Sequence, residues 1–286
     1  MTKMEKLKKR LCEYRNSPGS FIIFLLLVLS AIITAGVTFS IIIYVAVKGI
    51  PYLDQDMFSF KYTEENQSML PSIINTIYMT ALSLLFAVPI GIGCAIYLVE
   101  YAKRGNKFVT VIRLTAETLS GIPSIVYGLV GYLIFVIGLK LGLTLLGGAL
   151  TMATMILPLI MRTTEEALIA VPDMYREGSY GLGAGRLRTI FSIILPSAVP
   201  GILSGVILGV GRVVGETAAL IFTAGSVAKA ATSLMSSSRT LSVHMYIQQS
   251  EGLHMNEAFA TAVVLLIVVV IINLASELIA GKLTKK

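Results

Sequence analysis

The sequence predicts an all-α membrane protein with six transmembrane helices and both termini in the cytoplasm. Hydrophobic residues make up 55% of the 286 residues, and the mean hydropathy of +0.82 is far too high for a soluble domain. The apolar residues form continuous runs of about twenty or more, which is the length that a helix needs to cross the hydrocarbon of a bilayer. They do not alternate in short stretches as in a membrane barrel, so helices remain as the spanning structure.

Six apolar runs define the predicted organisation, and they cover residues 21–47, 72–99, 114–139, 143–161, 200–224 and 258–280. The predicted units are a basic tail (1–19), a first helix with its outer loop (20–71), a core of five helices (72–282) with a cytoplasmic loop (165–196), and a short cytoplasmic tail (283–286). The first run is about twice as long as the apolar part of a secretory signal, and no clear small-residue cleavage site follows it. We therefore expect it to be an uncleaved span.

Positive charges are distributed unevenly between the two sides of the membrane. Seventeen of the 23 Lys and Arg residues fall in the segments on the same side as the termini, and five fall on the opposite side. Segments that stay in the cytoplasm carry such an excess of Lys and Arg, so both termini are predicted to be inside. The net charge of +7 is explained by this topology and does not require a nucleic-acid partner.

The remaining basic residue, Arg212, lies inside the fifth predicted span. Counted from Pro200 at about 1.5 Å per residue, it is expected near the middle of the bilayer. A charge at that depth is costly, so Arg212 should face a water-filled path or a partner. Glu216 follows four residues later, on the same face of a continuous helix, where it can pair with Arg212.

These residues suit a path for an oxyanion. A guanidinium can donate two parallel hydrogen bonds to such an ion. Glu216 could hold the arginine, accept the proton of a hydrogenphosphate, or weaken binding so that the ion leaves, and Thr217 could add a hydroxyl. The alternative is that Arg212 and Glu216 form a structural ion pair that locks this span to a neighbour.

The third predicted span contains residues that bend helices. Gly121, Pro123 and Gly128 would kink or thin it, which would allow close packing against a second permease subunit or a gating movement. Arg113 and Glu117 stand four residues apart near its cytoplasmic end. This spacing favours an ion pair on the helix surface or an arginine that extends to the interface.

The cytoplasmic loop 165–196 mixes charges, small residues and sparse apolar positions. In it, Glu177-Gly-Ser is followed after three residues by Gly183, after nine more by Ile193, and after one more by Leu195-Pro. This spacing resembles the EAA loop of bacterial ABC importer permeases, with glycine and serine in place of two alanines. The alternative is an amphipathic loop that lies on the membrane surface, with its arginines bound to anionic headgroups.

The resemblance implies that this loop contacts a cytoplasmic ATPase. The residues that it assigns to ATPase coupling are Arg176, Glu177, Gly178, Ser179 and Gly183, with Arg186 and Arg188 available for further charge pairs. The chain itself has no glycine-rich loop ending in Gly-Lys-Ser or Gly-Lys-Thr. ATP and Mg are therefore expected on the partner ATPase, and no cofactor is expected on this chain.

From residue 72 onward the chain resembles the phosphate-import permeases. The matching stretches are Asn75-Thr76 with Thr80, residues 120–128 and residues 211–217, and residues 222–225 and 241–247 make it more similar to the A-type than to the C-type of their two paralogous subunits. The resemblance implies a type I importer permease of the bacterial cytoplasmic membrane that moves inorganic phosphate inward by alternating access. The implied partners are a homologous C-type permease subunit, two copies of the ATPase and an extracytoplasmic phosphate-binding protein.

Other functions remain open at this point. A different oxyanion, such as molybdate, tungstate or sulfate, would also suit an intramembrane arginine. A secondary transporter normally shows two related halves, which this sequence does not. A membrane-bound enzyme is disfavoured because no nucleophile–base pair is present, and His244 and His254 stand ten residues apart, so no metal site is expected.

Overall fold

The computed structural model describes residues 18–103 and 105–284. The predicted basic tail lies outside these residues except at its end. The helices are α1 Pro18–Gly49, α2 Leu70–Ile96, α3 Lys107–Ser120, α4 Ser124–Gly131, α5 Leu145–Ile169, α6 Asp173–Gly181, α7 Arg186–Thr189, α8 Leu195–Val214, α9 Ala218–Thr223, α10 Leu241–Glu251 and α11 Met255–Thr284. The described ranges contain no strand, which confirms the all-α prediction for them.

Three π-helical turns extend these helices. Tyr97–Tyr101 continues α2, Tyr132–Gly138 continues α4, and Ile190–Ile194 joins α7 to α8. The loop between α1 and α2, predicted to be the first outer loop, contains two short 3-10 helices, Ile50–Tyr52 and Gln55–Phe58.

Within residues 18–103 and 105–284, five helical stretches are long and apolar enough to cross a membrane. They are Gly19–Tyr52, Leu70–Tyr101, Leu145–Ile169, Arg186–Val214 and Met255–Leu278. A sixth span exists if α3 and the extended α4 are counted together, and these two are bent by 107°. The predicted third span is therefore broken into two helices.

The break in the third span follows from its sequence. Gly121 ends α3, and its N–H donates to the Thr118 carbonyl at 3.2 Å. Pro123 then precedes α4 in an extended conformation. Pro123 has a fixed φ and no N–H to donate, which suits the start of α4, and its ψ of 142° turns the chain away from the direction of α3.

Two of the predicted spans have different bounds in the structure. The fourth span does not end at residue 161 but runs to Ile169, and the fifth starts at Arg186 and ends at Val214 instead of covering 200–224. Polar residues at the end of an apolar run do not stop a helix that extends into water, because threonine, glutamate and arginine are all compatible with helix. The predicted loop 165–196 therefore contains the end of α5, the short helix α6 and the beginning of the fifth span.

Helix α5 lies at the centre of the bundle, packed against α2 and α8. Its Met152, Met155, Ile156 and Ile160 are fully buried. Small residues bring the helices close together: a Cβ atom added at Gly201 of α8 would lie 2.6 Å from the Cβ of Ala167. Such small-residue contacts are typical of helix packing in membranes.

Helix α1 differs from the core helices because nearly all of its apolar side chains are exposed. It meets α11 near its end, where Tyr44 and Phe259 pack edge to face at 5.9 Å between ring centroids. Lipid or another subunit is therefore needed to cover the rest of α1.

Candidate functional site

The fifth span ends inside an apolar stretch, and Arg212 lies in its last turn. Gly215 ends α8, with its N–H donating to the Gly211 carbonyl at 3.2 Å. After residues 215–217, the chain resumes as the short helix α9. The predicted single helix through residues 212–216 is therefore interrupted.

The predicted ion pair between Arg212 and Glu216 is absent from the structure. Because the helix ends between the two residues, they no longer occupy one helical face. The Glu216 carboxylate accepts the Ala219 N–H at 3.2 Å, and its carbonyl accepts the Ser242 hydroxyl at 2.6 Å. Glu216 thus caps α9, while Arg212 makes no hydrogen bond or ion pair with any residue that the structure describes.

Helix α4 of the broken third span packs directly against α9. A Cβ atom at Gly128 would lie 2.7 Å from the Cα of Ala219. Tyr127 is buried, and its hydroxyl donates to the Leu119 carbonyl at 2.8 Å, across the break in the third span. Tyr127 and Arg212 are close enough for their charges to interact only when the tyrosine is ionised, so this contact leaves Arg212 without an ion-pair partner.

Arg212, Glu216 and Thr217 thus lie around the interruption between α8 and α9, and Tyr127 lies on the helix that packs against α9. Arg212, Glu216 and Thr217 are partly buried, and the Thr217 hydroxyl makes no capping hydrogen bond. Discontinuous spanning helices commonly form substrate sites in transporters, because their free backbone ends and a water-lined cavity occur together. Tyr127 was not among the predicted site residues, because the sequence around it indicates only a break of the helix at Pro123.

Asn75 and Thr76 hold in place the segment between α9 and α11 (224–254), here called the outer segment because the predicted topology puts it outside. The Asn75 amide donates to the carbonyls of Lys229 at 2.8 Å and Arg239 at 3.1 Å, and its oxygen accepts the Ala231 N–H at 2.8 Å. The Thr76 hydroxyl accepts the Leu241 N–H at 2.9 Å. These contacts give the two residues a structural role that their spacing in the sequence does not show.

A buried polar network joins the same outer segment to the first outer loop. The buried Arg239 donates from Nε to the Ser226 carbonyl at 2.9 Å, and its Nη1 lies 3.1 Å from Nδ1 of His244. Arginine can only donate, so Nδ1 accepts and the ring proton is on Nε2, which lies 3.3 Å from the Gln67 carbonyl. Burial is the larger cause and the Arg239 charge the smaller cause that lower the pKa of His244 to about 4.

This network is expected to make the protein sensitive to acid. The pKa of His244 is about 4 when folded and about 6.5 when unfolded, so the unfolded chain binds the extra proton between these values. The contribution of neutral His244 to the free energy of unfolding is fully present above about pH 6.5. It decreases by up to about 3 kcal/mol as the pH falls to 4. Thermal unfolding of the purified protein between pH 7 and pH 4 would measure this.

The control for this experiment is the second histidine. His244→Gln removes the titrating group and should flatten the dependence of the unfolding temperature on pH, whereas His254→Gln should leave it as in the wild type. An equal loss of stability in acid for His244→Gln and the wild type would contradict the assignment.

The predicted docking residues lie on α6 and in the turn after it. Glu177, Gly178 and Gly183 are exposed, and Gly183 has a φ of +80°, which glycine adopts without strain. Ser179 is buried instead, with its Oγ 2.8 Å from the Thr189 Oγ1 of α7. The contact of this segment with an ATPase stays a prediction.

The arginines near α6 have different surroundings. Arg176 points into the chain, where it pairs with Glu100. Arg186 lies over the Tyr101 ring at 5.0 Å, and Arg188 is exposed. The predicted surface pair between Arg113 and Glu117 is not formed, because Arg113 donates from Nε to the Glu165 carboxylate of α5 at 2.7 Å.

The fold and the site together define a class: a multi-pass helical membrane protein whose helices are interrupted around an arginine that has no ion-pair partner among the described residues. Residues 87–286 match the family described as binding-protein-dependent transport system inner membrane component. The chain belongs to this family, and it is thus an ABC importer permease subunit and an integral component of the inner membrane.

Relatives and solved structures agree with this membership. The chain is 33% identical to the probable ABC transporter permease protein YqgI of Bacillus subtilis, over 90% of this chain and 94% of that protein. It is 34% identical to the phosphate transport system permease protein PstA 1 of Mycobacterium tuberculosis, over 75% of this chain and 71% of that protein. A bacterial alginate ABC transporter in complex with a periplasmic protein bound to an alginate pentasaccharide contains a similar fold, with a TM-score of 0.70, 17% identity and coverage of 96% and 98%.

Proposed function

We propose that this chain is the PstA-type permease subunit of a phosphate importer. The observation that carries the proposal is Arg212, a cation without a partner in the described residues, at the junction of two interrupted helices. The relative named PstA 1 supports phosphate as the substrate. The alginate transporter shares the fold alone, so it does not bear on the substrate.

The chemistry of this junction suits hydrogenphosphate. The Arg212 guanidinium offers a planar set of donors that matches two oxygens of one phosphate. Glu216 uses one carboxylate oxygen to cap α9 and leaves the other able to accept the proton of a hydrogenphosphate. Fully ionised sulfate has no such proton, and this difference favours phosphate over sulfate.

Transport would require three kinds of partner. We infer a homologous PstC-like permease subunit that completes the path, two PstB-like ATPases that bind ATP and Mg, and an extracytoplasmic PstS-like phosphate-binding protein. In this arrangement both termini and α6 face the cytoplasm. The exposed Glu177, with the open space around Gly178 and the turn at Gly183, suits close approach of another protein surface.

The mechanism that follows is alternating access. The binding protein delivers phosphate to the outer segments, and Arg212 holds the ion between the interrupted helices. Closure of the ATPases on ATP then moves α6, and the path changes the side to which it opens. This chain contributes half of the path and performs no hydrolysis itself.

The substrate is tested by the ATPase activity of the complete complex in liposomes. Binding protein loaded with phosphate is expected to stimulate ATP hydrolysis severalfold over the unloaded protein, whereas sulfate and molybdate should give little stimulation. Tungstate has the same charge and shape as molybdate, so it is the matched control for molybdate and should give equally little stimulation. Stimulation by sulfate or molybdate without stimulation by phosphate would identify a different oxyanion importer.

A further inference from the structure

Arg176 is the residue that fastens the docking helix α6 to the spanning helices. It directly precedes the exposed Glu177, yet only 15% of its side chain is exposed, and its partner Glu100 is 5% exposed. The guanidinium makes five hydrogen bonds, from Nε and Nη2 to Glu100 Oε1 at 3.1 and 2.8 Å, from Nη2 to the Leu168 carbonyl at 2.9 Å, and from Nη1 to the Val171 carbonyl at 2.9 Å and Asp173 Oδ1 at 3.1 Å. An arginine has five N–H donors, so all of them are used.

The partners of Arg176 belong to three different elements. Glu100 lies in the π-helical turn that ends α2, Leu168 lies in the last turn of α5, and Asp173 begins α6. The last carbonyls of a helix have no partner within it, and a basic side chain is favourable at that end. Arg176 therefore caps α5 while it pairs with α2.

This arrangement limits how α6 can move. If α6 shifted alone, the hydrogen bonds of Arg176 to Glu100 and to the Leu168 carbonyl would break, and the carboxylate of Glu100 would remain buried without a partner, which is strongly unfavourable. Helix α6 is thus expected to move together with the inner ends of α2 and α5. The other end of α2 carries Asn75 and Thr76, which hold the outer segment.

We propose that Arg176 and Glu100 are positioning residues that transmit the movement of α6 to α2 and α5. In this role Arg176 does not contact the ATPase but connects the docking surface to the transport path. The proposal rests on the function proposed above, in which an ATPase docks on α6. It assigns the coupling of ATP hydrolysis to transport to a contact inside this chain.

The experiment measures phosphate uptake and ATP hydrolysis by the same purified complex in liposomes. Arg176→Gln and Glu100→Gln are expected to retain ATP hydrolysis but to lower the phosphate taken up per ATP about tenfold, a typical size for a coupling effect. Arg176→Lys keeps the positive charge but lacks the planar set of guanidinium donors, so it should give an intermediate value of phosphate taken up per ATP. The matched control is Arg162→Gln, which breaks an exposed ion pair to Glu166 on α5 and should leave the ratio unchanged.

A purely structural role makes a different prediction. It would lower the amount of assembled complex but leave the uptake per ATP of each complex as in the wild type, and that result would overturn the proposal. If the glutamine variants do not assemble, Arg176→Lys tests the proposal in their place. A wild-type value of phosphate taken up per ATP in this variant would also overturn the proposal. If the wild-type complex takes up no phosphate, the substrate proposal fails by itself, and the ratio is measured with whichever anion-loaded binding protein stimulates hydrolysis.

Discussion

Replacing Arg212 with glutamine is expected to abolish phosphate uptake while the complex remains assembled. The guanidinium is the cation without a partner at the junction of the interrupted helices in the described residues, and glutamine has a similar length without the charge. Loss of two charge-assisted hydrogen bonds, worth roughly 1.5–3 kcal/mol each, should lower uptake about a hundredfold or more. Uptake of labelled phosphate into liposomes, normalised to the amount of assembled complex, measures the effect.

Two controls separate binding from assembly. Arg212→Lys keeps the charge but cannot form the bidentate contact, so its uptake should lie between those of the wild type and Arg212→Gln. Arg162→Gln removes an exposed arginine and should leave uptake unchanged. If Arg212→Gln prevents assembly instead, Arg212 has a structural role through a contact with another subunit, and it is then not a substrate residue.

The sequence was sufficient for the fold class because hydropathy and charge act over whole segments. Each predicted span corresponds to a helix or to a bent helix pair, since a run of about twenty apolar residues has few alternatives in a membrane. The bend in the third span was also predictable, because Pro123 acts locally on the backbone. The end of α8 was not, since residues 218–224 continue the apolar run beyond it.

The site was harder to predict because it depends on contacts between distant parts of the chain. The spacing of Arg212 and Glu216 predicts a pair only if the helix continues, and Gly215 ends it. The resemblance placed Arg176 among the ATPase-coupling residues, but it could not show the ion pair with Glu100, which lies 76 residues away. Patterns with a short period cannot show such contacts.

The second large effect is expected from Gly128, where the interrupted helices cross. A Cβ atom at this position would lie 2.7 Å from the Cα and 3.2 Å from the carbonyl oxygen of Ala219. These are backbone atoms, so α9 itself would have to shift, and Gly128→Leu is expected to cost about 3 kcal/mol or more by overpacking. Displacement of α9 would also move the Glu216 cap and the Arg212 junction, so uptake should fall with stability.

The measurement is the thermal unfolding midpoint of the purified complex together with its phosphate uptake. Gly128→Ala should be intermediate, because its single carbon already meets the Ala219 backbone. Gly93→Leu in α2 is the matched control, since a Cβ atom there has nothing within 4 Å. Wild-type stability and uptake in Gly128→Leu would show that α4 and α9 can separate without loss of function, and the junction would then not be the transport site. Loss of uptake at wild-type stability would instead show that their close packing serves transport more than folding.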